Sequence, residues 1–301
     1  MSFGCTDHEC IVNRDKLTLI MTKPGNIPTN PVPLPEQERP LVIEPLDYNN
    51  PYDFNQPHRH DYFEIILVKS GEGRQFIDFS EYKMATGQLY AIYPGQVHLM
   101  NRCSAQGLLI QFRKDVFQFI QPLRHYHLYF ENQVFKLNYA TFSHLYDVTE
   151  RMLLLLENKE ITSFSLHKIY SYLQIILISL PELHSDTVKI NDKDIVIRFL
   201  SLLATEVYSR KKVSDYCEIL GCSADKLNDA CKSGLGKTPL KLIHEEVMLE
   251  IKRLMLLGKL SLKEIAFELN FDSQANFSGF IKTHSGLTPS GLQASILEIY
   301  N

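Results

Sequence analysis

The 301-residue chain lacks any apolar run long enough to cross a bilayer: its most apolar stretch, Leu173 to Leu180, is far short of a span of ~20 residues. Nor does it open on a basic start followed by an apolar segment, so neither export nor membrane insertion is expected, and a cytoplasmic location is. Its six cysteines, at 5, 10, 103, 217, 222 and 231, contain no C-x-x-C pair. That spacing disfavours a zinc ribbon or a disulfide framework and fits a reducing compartment. A P-loop, a dinucleotide fingerprint and a Ser/His/Asp order are also missing, so no enzyme activity is expected. A basic excess is absent too, since 31 Lys+Arg face 35 Asp+Glu for a net charge of −4. Taken whole, that balance argues against nucleic-acid binding.

What is present changes that reading. Apolar residues make up 45% and charged residues 22%, ordinary globular usage, and the length suits about two domains at roughly 150 residues each. Divided near Asn191, the charge is uneven: residues 1–187 carry 16 cations against 21 acids, net −5, and residues 188–301 carry 15 against 14, net +1. Seven cations (Arg210, Lys211, Lys212, Lys226, Lys232, Lys237 and Lys241) fall within 210–241. The positive field is local.

Six prolines between Pro24 and Pro40 make residues 1–40 an extended N-terminal arm. From 41 to 112, short runs rich in β-branched and aromatic residues (YFEIILV, RQFIDF, LYAIYP, GLLIQF), broken by Gly, Pro, Asn and Ser, predict a compact antiparallel barrel. Residues 113–180 turn helical, with apolar positions three and four apart over Tyr139 to Glu157 and Ile161 to Leu180; Pro181 is expected to end the second helix. So much apolar helix surface beside one small barrel invites a second copy, hence a homodimer. Residues 181–191 read as a linker and 192–301 as almost all helix, beginning with one from Asp192 to about Ser209. The fold class is α+β in two domains.

The last ninety residues contain an internal repeat. Val213, Cys217, Leu220, Gly221 and Cys222 recur as Leu262, Ala266, Leu269, Asn270 and Phe271 at an offset of 49, and Lys232, Gly236 and Thr238–Pro239 recur as Lys282, Gly286 and Thr288–Pro289 at 50. Cys217 and Ala266 are small, as a close helix crossing requires. Gly221 and Asn270 suit a left-handed turn. Ser223, and Asp272 or Ser273, can cap the next helix, while the Thr–Pro pairs are N-cap plus N1 starts. Each copy is therefore a helix-turn-helix unit, and a helix from Pro239 to about Leu257, ~28 Å long, joins the two. That strut would let two recognition helices enter successive major grooves, ~34 Å apart.

This C-terminal region, above all LSLKEIAFELNFDSQANFSGFIKTHSGLTPSGLQ, resembles the DNA-binding domain of the AraC/XylS family of transcription regulators. It departs from that family in its recognition helices, with Asp225, Asn228, Asp229 and Ala230 in the first and Gly279 in the second where basic residues are common. The resemblance implies base contacts by Ser223, Lys226, Asn228 and Lys232, then by Ser273, Gln274, Asn276 and Ser278, with Lys232, Lys237 and Lys282 on phosphates. Net charge is −1 over 259–301, so the second unit is expected to lean on the first.

In the barrel region, His58-Arg59-His60-Asp61-Tyr62-Phe63-Glu64 followed by Gly71, then Gly87, Pro94, Gly95 and His98, resembles the two motifs of the cupin barrel, the sensor of many AraC-type regulators. The resemblance implies an effector site at His58, His60, Glu64, Tyr93 and His98. His58, His60, Glu64 and His98 match the ligands of metal-binding cupins; the expectation is an organic effector and no resident cofactor, with a metal as the other possibility. His125 and His127 have no companion motif and are expected to be structural. The expected function is an effector-controlled transcription regulator, activator or repressor, that binds promoter DNA and contacts RNA polymerase. The alternative is a metal-dependent cupin enzyme with a regulatory helical domain.

Overall fold

The computed structural model describes residues 34, 41–47, 56–113, 116, 133–158, 160–182 and 194–299. The expectations for an arm over 1–40, for His125 and His127, and for most of the linker lie outside the described residues.

Among the described residues, eight antiparallel strands form two sheets. The larger, in the order β1-β7-β2-β5-β8, is built from β1 (Leu41–Pro45), β7 (Gln106–Phe112), β2 (Phe63–Ser70), β5 (Gln88–Ile92) and β8 (Val134–Lys136). The smaller has the order β4-β3-β6, from β4 (Ser80–Ala85), β3 (Glu72–Ile77) and β6 (His98–Asn101). Strand periodicity then divides the side chains. Ile66, Val68, Tyr90, Ile92 and Leu109 point between the sheets onto Ile77 and Met84. Their neighbours Phe63, Ile65, Leu67, Ala91 and Ile110 point outward. That outer face is covered by helices α1 (Tyr139–Leu156) and α2 (Ser163–Glu182) through Leu145, Met152, Ile169, Leu173 and Ile176. Six consecutive residues of β2 are buried because both of its faces are covered.

Three boundaries differ from the sequence reading. β8 lies inside the segment expected to be helical; three residues are too few to show a period, and only pairing with β5 reveals the strand. Helix α2 runs to Glu182, so Pro181 and the first residues assigned to the linker belong to its last turn. Helix α3 spans Asp194–Glu206, shorter than 192–209.

The C-terminal region continues with α4 (Val213–Leu220), α5 (Ala224–Leu235), α6 (Pro239–Leu257), α7 (Leu262–Glu268), α8 (Gln274–Ser285) and α9 (Pro289–Ile299). The duplicated signals perform the same local tasks in both copies. Gly221 and Asn270 take left-handed φ of 64° and 51° at the two turns. Ser223 caps α5 by accepting from the Lys226 amide, and Ser273, rather than Asp272, caps α8 by accepting from the Asn276 amide. Thr238 and Thr288 accept from the amides of Lys241 and Gly291 at the starts of α6 and α9. Tyr216, Leu227, Ile243, Val247, Ile251, Ile265, Phe277 and Ile281 build one core around α6, which Val97 and Leu99 of the barrel join.

Candidate functional site

Two regions meet the chemistry expected of functional sites. The first lies inside the barrel. His58 and His60 precede β2, Glu64 is on β2 and His98 opens β6; a backbone bridge between His58 and His98 draws the two segments together. Ring centroids are 4.3 Å apart for His58 and His98 and 4.9 Å for His60 and His98. Glu64 is 3.8 Å from His60 (Oε2 to Nε2) and 3.9 Å from His98 (Oε1 to Nδ1). His60, Glu64 and His98 are nearly inaccessible to solvent, at 0%, 3% and 2% exposure.

Neighbours orient these groups. His60 Nδ1 donates to the Tyr62 carbonyl at 2.7 Å, which directs the lone pair of Nε2 inward, and its ring stacks on Tyr62 at 3.9 Å. The Gln111 amide donates to Glu64 Oε2 at 3.0 Å, and the Gln75 amide lies 3.2 Å from His98 Nδ1. Turned over, the Gln75 amide would accept from His98 Nδ1 and leave Nε2 as a lone pair as well. Burial, then the neighbouring His58, lowers the His60 imidazole pKa to about 3; burial also holds His98 well below its ordinary value. Burial raises the Glu64 carboxyl pKa to about 7 against the opposing Gln111 hydrogen bond. The His60 and His98 imidazoles are therefore neutral at pH 7.

His60 Nε2, His98 Nε2, Glu64 Oε1, Gln75 Oε1 and Gln111 Oε1 are buried with no hydrogen-bond partner among the described residues. Such groups are costly unless something satisfies them. One ligand atom from each of His60, Glu64 and His98 lies within 4.8 Å of the other two. Two neutral imidazoles and a carboxylate fit a transition-metal ion, whose charge would also favour the ionised carboxylate. A polar effector bearing donors would satisfy the same atoms. Gln75 and Gln111 belong to this site although the sequence reading missed them: glutamine on a strand carries no motif, and only inward register marks them. Tyr93 departs from the expectation. It stands on the helix-covered face of the sheet, 6.1 Å from Phe63, on the opposite side from Glu64 and His98.

The second region is the outer surface of the repeat. Ser223, Lys226, Lys232, Ser273, Gln274, Asn276 and Lys282 are exposed on or at the start of α5 and α8; Asn228 and Ser278 are half-buried on the same helices. Lys237 is paired with Glu245 at 2.8 Å, which reduces the charge it offers a phosphate. Two other cations of the basic segment have structural tasks. Lys211 donates to the Leu269 and Asn270 carbonyls at the turn of the second unit and sits 4.9 Å over the Phe271 ring; Arg210 pairs with Glu206 at 3.2 Å. The cations of that segment left to meet DNA are thus four, Lys212, Lys226, Lys232 and Lys241, of which α5 carries two.

A family model described as an AraC-like ligand binding domain matches residues 40–167, and one described as a helix-turn-helix domain matches residues 216–295. No curated protein matches the chain. Among solved structures, ToxT from Vibrio cholerae is similar at 15% identity over 86% of this chain and 97% of its own, with a TM-score of 0.38. A regulator with an AraC-type DNA-binding domain from Chromobacterium violaceum shares 22% identity over 34% of this chain and 91% of its own, with a TM-score of 0.31. The AraC-like transcriptional activator CuxR shares 16% identity over 63% of this chain and 67% of its own, with a TM-score of 0.31.

Proposed function

The chain belongs to the AraC/XylS family of transcription regulators, and from that premise we propose that it reads specific promoter DNA under the control of a small molecule held in its barrel. Family and fold point to a regulator rather than to catalysis. The observation that carries the reading is the pair of capped helix-turn-helix units whose exposed α5 and α8 flank one 19-residue strut, α6. That is a device for addressing two successive grooves. Base contacts fall to Ser223, Lys226, Asn228, Lys232, Ser273, Gln274, Asn276 and Ser278, and phosphate contacts to Lys237 and Lys282. The barrel effector is held by His58, His60, Glu64 and His98. No helix among the described residues is long and apolar enough to cross a membrane, in keeping with a cytoplasmic regulator.

Tyr139, Leu154, Phe164 and Ile175 are exposed apolar residues on α1 and α2, and they support a homodimer in which two weak DNA contacts add. Activation through RNA polymerase completes the proposal. In a mobility-shift assay with DNA from upstream of its own gene, the protein is expected to give a retarded complex that weakens steeply with salt. No complex at low salt, with or without candidate effectors, overturns the reading.

The unsatisfied, inward-facing atoms of His60, Glu64 and His98 favour a second reading of the occupant, a divalent transition metal. Untagged protein is then expected to bind about one equivalent of zinc or cobalt in equilibrium dialysis, and Glu64→Gln to weaken binding roughly tenfold or more. Failure of the wild-type protein to take up either ion removes the metal and leaves the regulator standing.

A further inference from the structure

The barrel and the helical domain meet through a group of charges that neither domain completes alone. From the barrel, Arg59 Nη1 donates to Glu250 Oε1 of α6 at 2.5 Å and to the Tyr208 hydroxyl at 3.1 Å. Tyr208 in turn donates to Glu250. From the strut, Arg253 grips Asp78 of the barrel with both prongs, Nε to Oδ1 at 2.7 Å and Nη2 to Oδ2 at 2.9 Å. Arg253 Nη1 also lies 3.4 Å from Glu250 and 3.8 Å from Glu246. Side-chain exposure is 4% for Glu250, 9% for Arg253, 14% for Asp78 and 17% for Arg59. Phe76 and Phe79 pack beside Val97 and Leu99 against the helical core, and Lys252 lies 5.6 Å from the Phe79 ring.

Alone, the strut would hold two acids around one guanidinium; the barrel supplies the second cation and the third acid. Paired guanidinium and carboxylate forks are strongly directional, while the attraction of buried ions is largely offset by their lost hydration. Such a contact is specific in geometry yet inexpensive to open, as a switch requires. Its position is equally specific. Arg59 stands between His58 and His60, and Asp78 accepts from Gln96 and from the Val97 amide, the two residues before His98. Both barrel charges therefore hang from the segments that carry the histidines. Both strut charges lie on the helix that spaces the recognition helices.

We propose that these four residues form an autoinhibitory clasp, in which Arg59 and Asp78 hold the acidic barrel on the strut through Glu250 and Arg253 and thereby lower affinity for DNA. The recognition helices stay exposed, so the clasp acts by fixing the strut and by holding negative charge near the DNA path. The N-terminal 187 residues carry net −5 against +1 for the rest. This rests on the reading of the C-terminal domain as a DNA binder, whereas the clasp itself is testable without DNA.

Asp78→Asn and Arg253→Gln, singly and together in the full chain, form a double-mutant cycle read by scanning calorimetry. Each single variant is expected to separate the unfolding of the two domains, and the double variant to separate them no further than the stronger single one. Arg59→Gln tests the other arm, and the same separation is expected should Arg253→Gln fold poorly. Additive effects, or domain transitions unmoved by Asp78→Asn and Arg59→Gln, overturn the clasp. On a 30-bp duplex at low salt, Asp78→Asn and Arg59→Gln are expected to bind about fivefold or more tightly than wild type, the gain shrinking as salt rises. Equal or weaker binding overturns the autoinhibition. Absence of DNA binding by every protein, wild type included, refutes the DNA reading and with it the inhibition, while the calorimetric cycle still decides whether the domains are clasped.

Discussion

Replacing Gly71 with alanine is expected to destabilise the barrel by ~2–5 kcal/mol, whereas Gly87→Ala costs ~1–2 kcal/mol, although the two glycines have nearly the same φ. Their φ angles are 78° and 79°, in the left-handed region where a side chain costs about 1–2 kcal/mol. The difference is space. A Cβ on Gly71 would lie 2.0 Å from the Ser104 carbonyl oxygen, backbone that cannot swing aside, while a Cβ on Gly87 meets nothing within 4 Å. The Ser104 amide also donates to the Glu72 carbonyl, so relieving the clash would open the start of β3. Overpacking of that kind adds about 1–3 kcal/mol to the conformational cost. Urea unfolding followed by tyrosine fluorescence measures both variants, and equal losses would show that the close approach is relieved at no cost. Because β3 carries Gln75 and pairs with β6 at Ile77 and His98, the loss reaches the histidine cluster as well.

The second large effect concerns the inequality of the two DNA-reading units. Truncating Lys226, Asn228 and Lys232 to alanine together is expected to reduce specific DNA affinity by about 100-fold or more, at ~1–3 kcal/mol for each base-reading side chain removed. The matching triple variant of Gln274, Asn276 and Lys282, with two base readers in place of three, is expected to lose about thirtyfold. The physical reason is charge. Residues 210–241 carry seven cations against four acids, net +3, whereas residues 259–301 carry three against four, net −1. The slope of log affinity against log salt should therefore fall by about 2 for the first triple variant and about 1 for the second. Titrations at several salt concentrations decide it, and equal losses would refute the dominance of the first unit. Ser223 and Ser273 are better left intact in this test, since each caps its helix and its removal would confound DNA recognition with folding.

Much of the fold was legible in the chain because its signals are local. The Thr–Pro starts, the capping serines, Gly221 and Asn270 act within one helical turn of themselves, so their spacing alone locates the units and the strut. The cupin-like motif could be read for the same reason, as His58, His60 and Glu64 alternate along one segment. Other features depend on partners far away in sequence. β8 exists because β5 offers an edge. Gln75 and Gln111 enter the site through their strands' register, and Tyr93 leaves it by the same rule, one step of the period placing it on the opposite face from Ile92. Lys211 lay in the basic segment, yet the turn 58 residues on holds its charge.

By itself, then, the sequence determined the duplicated helix-turn-helix units, the strut between them, the kind of barrel in front and the uneven distribution of charge. Each follows from backbone preference or from a count of residues, which need no distant neighbour. Only the tertiary structure decided which cations remain available to DNA, which polar side chains close around the histidines, and that Arg59 and Asp78 meet Glu250 and Arg253. Those pairings span 191 and 175 residues of chain. No local propensity encodes them, because they form only when two separately built surfaces are brought together.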